Sequence, residues 1–138
     1  MKVGLTVADI LQTISDKKAL YLFETIAVVK PSSDILIAKT QLTRKQYYSR
    51  MSNLMKRGLV KRKNRKYTLT SFGKVVYDIH IIIEKVITNY YWKLKAFDLV
   101  EVTNSGLSNE EHNKILDALI DNENIKQLII SMPNATTE

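Results

Sequence analysis

Cysteine is missing from all 138 residues, which excludes disulfides, thiolate zinc fingers and cysteine nucleophiles. Histidine occurs twice, at 80 and 112, far apart in sequence, and no metal site is expected. Glycine is scarce: four residues, no Gly-rich loop and no G-K-[ST] motif to cradle a phosphate. The basic half offers no paired carboxylate, and neither histidine has a plausible catalytic partner, so no enzyme and no cofactor are expected. No apolar run reaches the ~20 residues needed to span a bilayer. Residues 1–16 lack a long apolar stretch and include Asp9, so no export leader is expected and a cytoplasmic location follows. The Asn134-Ala135-Thr136 sequon then has no use.

Carboxylates are absent from one long stretch. Residues 39–74 hold twelve cations (Lys39, Arg44, Lys45, Arg50, Lys56, Arg57, Lys61, Arg62, Lys63, Arg65, Lys66 and Lys74) and no acid. The flanks differ: residues 1–38 balance four bases with four acids, whereas 96–138 carry two bases and eight acids. The whole chain is +7, with an ordinary 45% of hydrophobic residues. So many like charges repel one another unless a polyanion is near. A polyphosphate partner removes that repulsion and releases counterions. A merely solubilising face is the bland alternative, and it does not explain why the cations coincide with the elements that follow.

Thr43 and Gln46 form a T-x-x-Q capping box, and no Pro or Gly follows until Gly58, which suits the left-handed residue past a helix end. Lys56 and Arg57 suit the negative end of the helix dipole. The spacing predicts a helix over about 44–57. At 100° steps Tyr47, Met51 and Leu54 share one face; Lys45, Ser49, Ser52 and Lys56 share the other, flanked by Gln46, Tyr48 and Asn53. A solvated face is usually rich in Glu and Lys, but this one mixes small and amide side chains with cations. Upstream, Ser32 or Ser33 can cap a short helix over about 34–39, with Ile35, Leu36 and Ala38 as its apolar side. Thr40-Gln41-Leu42 then makes a turn with Leu42 buried, the spacing of a helix-turn-helix. Downstream, 59–62 and 66–69 read as strands around Lys63-Asn64-Arg65, where Asn64 can supply a positive φ.

The run SDILIAKTQLTRKQYYSRMSNLMKRGLV followed by KRKNRKYTLTSFGKVVY resembles the winged helix-turn-helix DNA-binding domain of small prokaryotic, above all archaeal, transcription regulators. Its Leu-x-x-x-Gly-Leu-Val exit at 54–60 and its Leu-Thr-x-x-Gly at 69–73 are frequent in that superfamily. The resemblance spans roughly residues 17–91. It implies a mainly α fold with a small β-hairpin, a long dimerisation helix and a C-terminal helical extension. It also implies double-stranded DNA as the partner and repression by occlusion; if the chain pairs as a homodimer, the operator is expected to be an inverted repeat.

The expected organisation is an N-terminal extension (1–14), the winged domain (15–70), the long helix (71–95) and an acidic helical extension (96–138). Thr6 and Asp9 can cap a short first helix bearing Val7, Ile10, Leu11 and Ile14. Ser15 is the expected cap of the next helix, whose face is Leu20, Tyr21, Phe23, Ile26, Ala27 and Val28, stopped at Lys30-Pro31. Thr70 caps a helix expected over 71–94. It is apolar nearly all round, so it must be covered on two sides. The expected dimer interface is Val76, Ile79, Ile83, Val86 and Tyr90; the alternative is cover by the C-terminal segment of the same chain. Past the Asn104-Ser105-Gly106 loop, Ser108 caps a helix with Ile115, Leu116, Leu119 and Ile120. Ile125, Leu128, Ile129 and Met132 continue an apolar face, Pro133 ends it and 134–138 is a tail. This acidic pair completes the dimer, binds a protein partner or frames a small-effector pocket.

For direct readout, a helix in the major groove uses Lys or Arg on guanine and Gln or Asn on adenine. The expected recognition-helix set is Arg44, Lys45, Gln46, Tyr48, Ser49, Arg50, Ser52 and Lys56. The expected wing set is Arg62, Lys63, Asn64, Arg65 and Lys66. Two other readings compete: a winged-helix protein-interaction module of a larger transcription or replication assembly, and a nonspecific chromatin protein.

Overall fold

In the computed structural model, which describes residues 4–29, 32–103 and 106–132, the chain is mainly helical with one two-stranded antiparallel hairpin. The expected stop at Lys30-Pro31, the residues Asn104 and Ser105, the stop at Pro133 and the tail with its sequon lie outside the described residues. The elements are α1 (Val7–Ile14), α2 (Lys17–Val29), α3 (Ser33–Thr40), α4 (Arg44–Lys56), β1 (Val60–Lys63), β2 (Lys66–Leu69) and α5 (Ser71–Lys85). A π-helical turn (Val86–Tyr90), α6 (Tyr91–Thr103), α7 (Asn109–Leu119) and α8 (Glu123–Ser131) follow. Two compact units divide between Ile81 and Ile82. No helix among the described residues is long and apolar enough to cross a membrane.

Capping chemistry sets the helix starts of the first unit. Thr6 and Asp9 exchange bonds at 3.0 and 3.1 Å and open α1. Asp16, rather than Ser15, caps α2: its carboxylate accepts from the Lys18 N–H at 3.3 Å. The Ser15 hydroxyl instead donates back to Gln12 O and closes α1. Two adjacent cap-competent residues made the choice ambiguous in sequence. The buried face of α2 centres on Leu22, Phe23 and Ile26, while Tyr21 and Val28, expected inside, are exposed. On α3, Leu36 and Ile37 meet the core, while Ile35 and Ala38 face outward. Gln41 takes the left-handed conformation (φ 56°) that ends α3, and Leu42 is buried as expected.

These side chains join Tyr47, Met51, Leu54, Leu59, Val60, Tyr67 and Leu69 in one core, with Ile10, Ile14, Val76 and Tyr77 packed on it. Each fully buried Leu there contributes about 1.5–3 kcal/mol. The short α1 is marginal alone and is held by Ile10 and Ile14. α5 starts where Thr70 Oγ1 accepts from Gly73 N at 2.9 Å.

The expected single helix over 71–94 differs in the structure. It gives way after Lys85 to the π turn and resumes as α6 as far as Thr103. In the second unit Phe97, Leu116, Ile120 and Ile125 form a core, joined by Val86, Tyr90, Leu94, Ile115, Leu119 and Ile129. Leu128 and Met132, expected on that face, are exposed. Ser108 and Asn122 cap α7 and α8 through the N–H groups of Glu111 and Ile125. Of the five residues expected at a dimer interface, Val76 packs on the first core and Val86 and Tyr90 on the second. Only Ile79 and Ile83 are exposed, at 52% and 54%.

Candidate nucleic-acid interface

The roll of α4 about its own axis decides which side chains reach solvent. Its start is pinned by the reciprocal Thr43–Gln46 box, both bonds 3.1 Å. Tyr47, Met51 and Leu54 are buried at 0–3% exposure. With that stripe inward, Arg44, Lys45, Tyr48, Ser49, Ser52 and Lys56 are exposed, and Gln46, whose side-chain oxygen accepts from Thr43 N, is half-buried. Past Arg57, Gly58 turns the chain at φ +76°, a conformation that a side chain would strain.

The hairpin is placed by alternation. Val60, Tyr67 and Leu69 point into the core, so Lys61, Lys63 and Lys66 point out, while Arg62 shares the core-side face and is exposed beyond the edge of the core. Lys63 pairs with Lys66 across a two-residue turn. Asn64 and Arg65 both have positive φ (53° and 63°), which matches the twist of a tight hairpin. Glycine ordinarily serves at the second of these positions, and here it carries a cation instead. The Arg62 guanidinium lies 5.9 Å from the ring centroid of Tyr67, its cross-strand partner one pair short of the turn.

Three hydroxyls lock helix to hairpin. Tyr47 donates to Ser33 Oγ at 3.1 Å and Ser33 donates to Tyr67 OH at 3.4 Å. The chain thereby ties α4, α3 and β2 together beneath the exposed surface. Burial pushes the Tyr47 phenol up to about 12, so it remains a neutral donor.

The twelve cations of 39–74 divide in two. Among the described residues, only Arg50 and Arg57 of the twelve meet a carboxylate. Arg50 Nε stands 2.6 Å from Asp16 Oδ2 and also reaches Gln46 O, while Arg57 Nη2 stands 3.8 Å from Asp9 Oδ1. The hydrogen bond from Arg50 holds the Asp16 carboxyl below the usual range. The Thr6 backbone N–H, then its hydroxyl, do the same for Asp9. Arg50, expected to face a ligand, is half-buried as a brace between α4 and the start of α2. Of the rest, Arg44, Lys45 and Lys56 are exposed on α4 and Lys61, Arg62, Lys63, Arg65 and Lys66 on the hairpin, while Lys39 belongs to α3 and Lys74 to α5.

A recess that the sequence did not lead us to expect completes this surface. It measures about 570 Å³ and opens between α4 and β2, lined by Tyr48, Met51, Ser52, Met55, Lys56 and Tyr67. Met55 is seven residues beyond Tyr48, which is the signal that could have found it. Compared with family models, curated proteins and solved structures, the chain matches none.

Proposed function

We propose that the protein is a sequence-specific, double-stranded DNA-binding transcription regulator of winged helix-turn-helix type, acting as a homodimer. One observation carries this reading. An acid-free set of exposed cations is spread over both a rigidly capped helix and the tip of a hairpin bound to it. α3 and α4 serve as the helix-turn-helix, with α4 in the major groove, and β1–β2 as the wing. Lys45, Gln46, Tyr48, Ser49 and Ser52 approach base edges, where amide and hydroxyl groups add sequence information that charge alone lacks. Arg44, Lys56, Arg62, Lys63, Arg65 and Lys66 contact phosphates, with Asn64 shaping the wing tip. Two copies place their reading helices on half-sites about 34 Å apart, so the operator is an inverted repeat.

A protein-interaction module would have little use for a wing tip of paired lysines. A purely nonspecific binder would not require the Gln46–Ser49–Ser52 face. The test is a salt-resolved binding titration. Replacing Lys63 and Arg65 with Ala should weaken binding to all duplexes alike. It should also reduce the slope of log K against log salt by about 0.9 for each phosphate no longer neutralised. Gln46→Ala should change sequence preference instead. Equal competition by random and genomic duplexes at every salt concentration would refute sequence-specific regulation.

A further inference from the structure

We infer that the cleft between the start of α1, the end of α4 and the start of α5 binds a hydrocarbon carboxylate, a free fatty acid of medium chain length. The cleft measures about 760 Å³ and lies wholly within the first unit, a size ordinary for small-ligand sites. Leu5, Val7, Ile10 and Phe72 supply its apolar walls. Val7 and Phe72 are 75% and 44% exposed, so this surface is not consumed by the core. Gly4 and Gly58 complete the lining, and a Cβ at either would meet nothing within 4 Å. The space beside them is therefore open.

Charge selects the class of ligand. Lys56 and Arg57 line the cleft, and no carboxylate does. Arg57 is half-buried, and Asp9 answers it only in part: Nη2 and Oδ1 stand 3.8 Å apart, beyond hydrogen-bond reach. Asp9 is already engaged, because its Oδ2 accepts from Thr6 N at 3.0 Å. Among the described residues the Arg57 guanidinium makes no hydrogen bond. Its planar fork of donors matches the two oxygens of a carboxylate. The ligand must therefore carry an anionic head for Arg57 and Lys56 and a hydrocarbon body for the four apolar walls. A duplex meets the first demand only, and a neutral hydrocarbon the second only. Occupancy also reaches α4, since Lys56 is a proposed phosphate contact whose charge the ligand would hold; that link rests on the DNA-binding reading above.

Isothermal titration of the full-length protein with hexanoate, octanoate and decanoate tests the site. Saturable binding should tighten about fourfold for each further methylene buried, and 1-octanol should bind more weakly than octanoate. Gly4→Leu, which fills open space, should lose binding. Arg57→Gln and Lys56→Gln should each weaken octanoate and leave 1-octanol unchanged. Absence of saturable binding, no gain with chain length, or wild-type affinity in these variants would overturn the inference. Decanoate should also weaken duplex binding about threefold for each chain in the wild type, and not in Gly4→Leu. Duplex affinity unmoved by bound decanoate would overturn the link through Lys56. Decanoate binding by a protein that binds no duplex would overturn the DNA-binding reading and leave the cleft assignment standing.

Discussion

Replacing Gly73 with alanine sets two known effects against each other, and the structure decides between them. On helix propensity alone the change should stabilise, because Gly in a helix costs about 1 kcal/mol relative to Ala. Gly73, however, lies in the first turn of α5 where that helix passes directly over the start of the hairpin. A Cβ there would overlap the backbone carbonyl oxygen of Leu59 and stand 2.9 Å from its carbon and 3.2 Å from Thr70 Oγ1. The obstacle is backbone, and the same oxygen already accepts from Thr70 N at 3.1 Å. No flexible side chain can move aside. Overpacking of this kind costs about 1–3 kcal/mol, and a rigid obstacle places it at the upper end.

The net expectation is a loss of about 2 kcal/mol. For a unit of this size that lowers the thermal midpoint by roughly 10 °C or more. Thermal and urea unfolding of Gly73→Ala against the wild type measures it. A midpoint equal to or above the wild type would refute the close approach of α5 to Leu59. Since Leu59 leads into β1, the displaced carbonyl would also tilt the wing. The variant should therefore bind DNA more weakly even at temperatures where it remains folded.

Two further outcomes follow from the ion pairs and the exposed apolar row. Asp9 and Asp16 have folded-state pKa values below their ordinary 3.8. Their stabilisation is thus fully present above about pH 4 and is lost as pH falls through the folded values. The urea midpoint should drop as the pH falls below about 4, and drop less in Asp16→Asn; an equal drop would refute the Arg50–Asp16 contribution. Sedimentation should give the wild type twice the 15.9 kDa chain mass and Ile83→Glu a single chain. An unchanged mass in the variant would remove the pairing of helices through this row.

Much of the first unit was legible because several local signals agree there. At α4, cap, stop and stripe all fix the same helix: Thr43 with Gln46, Gly58, and Tyr47–Met51–Leu54. Consistency of that kind is what makes a segment readable. The lapses occur where signals compete. Ser15 and Asp16 can both cap, and the carboxylate wins because Arg50 holds it in place. Arg65 occupies a left-handed position that sequence rules reserve for Gly or Asn, a local cost retained where the proposed wing needs charge. Arg50 reads as a surface cation until its partner, thirty-four positions away, is visible.

Residues 76–92 were the hardest to orient, for a different physical reason. A helix apolar on every face has no preferred roll, so periodicity says that it is covered without saying by what. The π turn adds one residue and shifts the phase of everything after it by about 100°. Val86, at the start of that turn, and Tyr90, at its end, both pack on the second core, where Tyr90 donates its hydroxyl to Asp121. The row that remains outward on α5 is Phe72, Val75, Ile79, Ile82 and Ile83. These large apolar side chains stand in water along one side of α5. In the proposed dimer this row is the seam, centred on Ile79 and Ile83. Val86 and Tyr90, half-buried against the second core, are not part of this row.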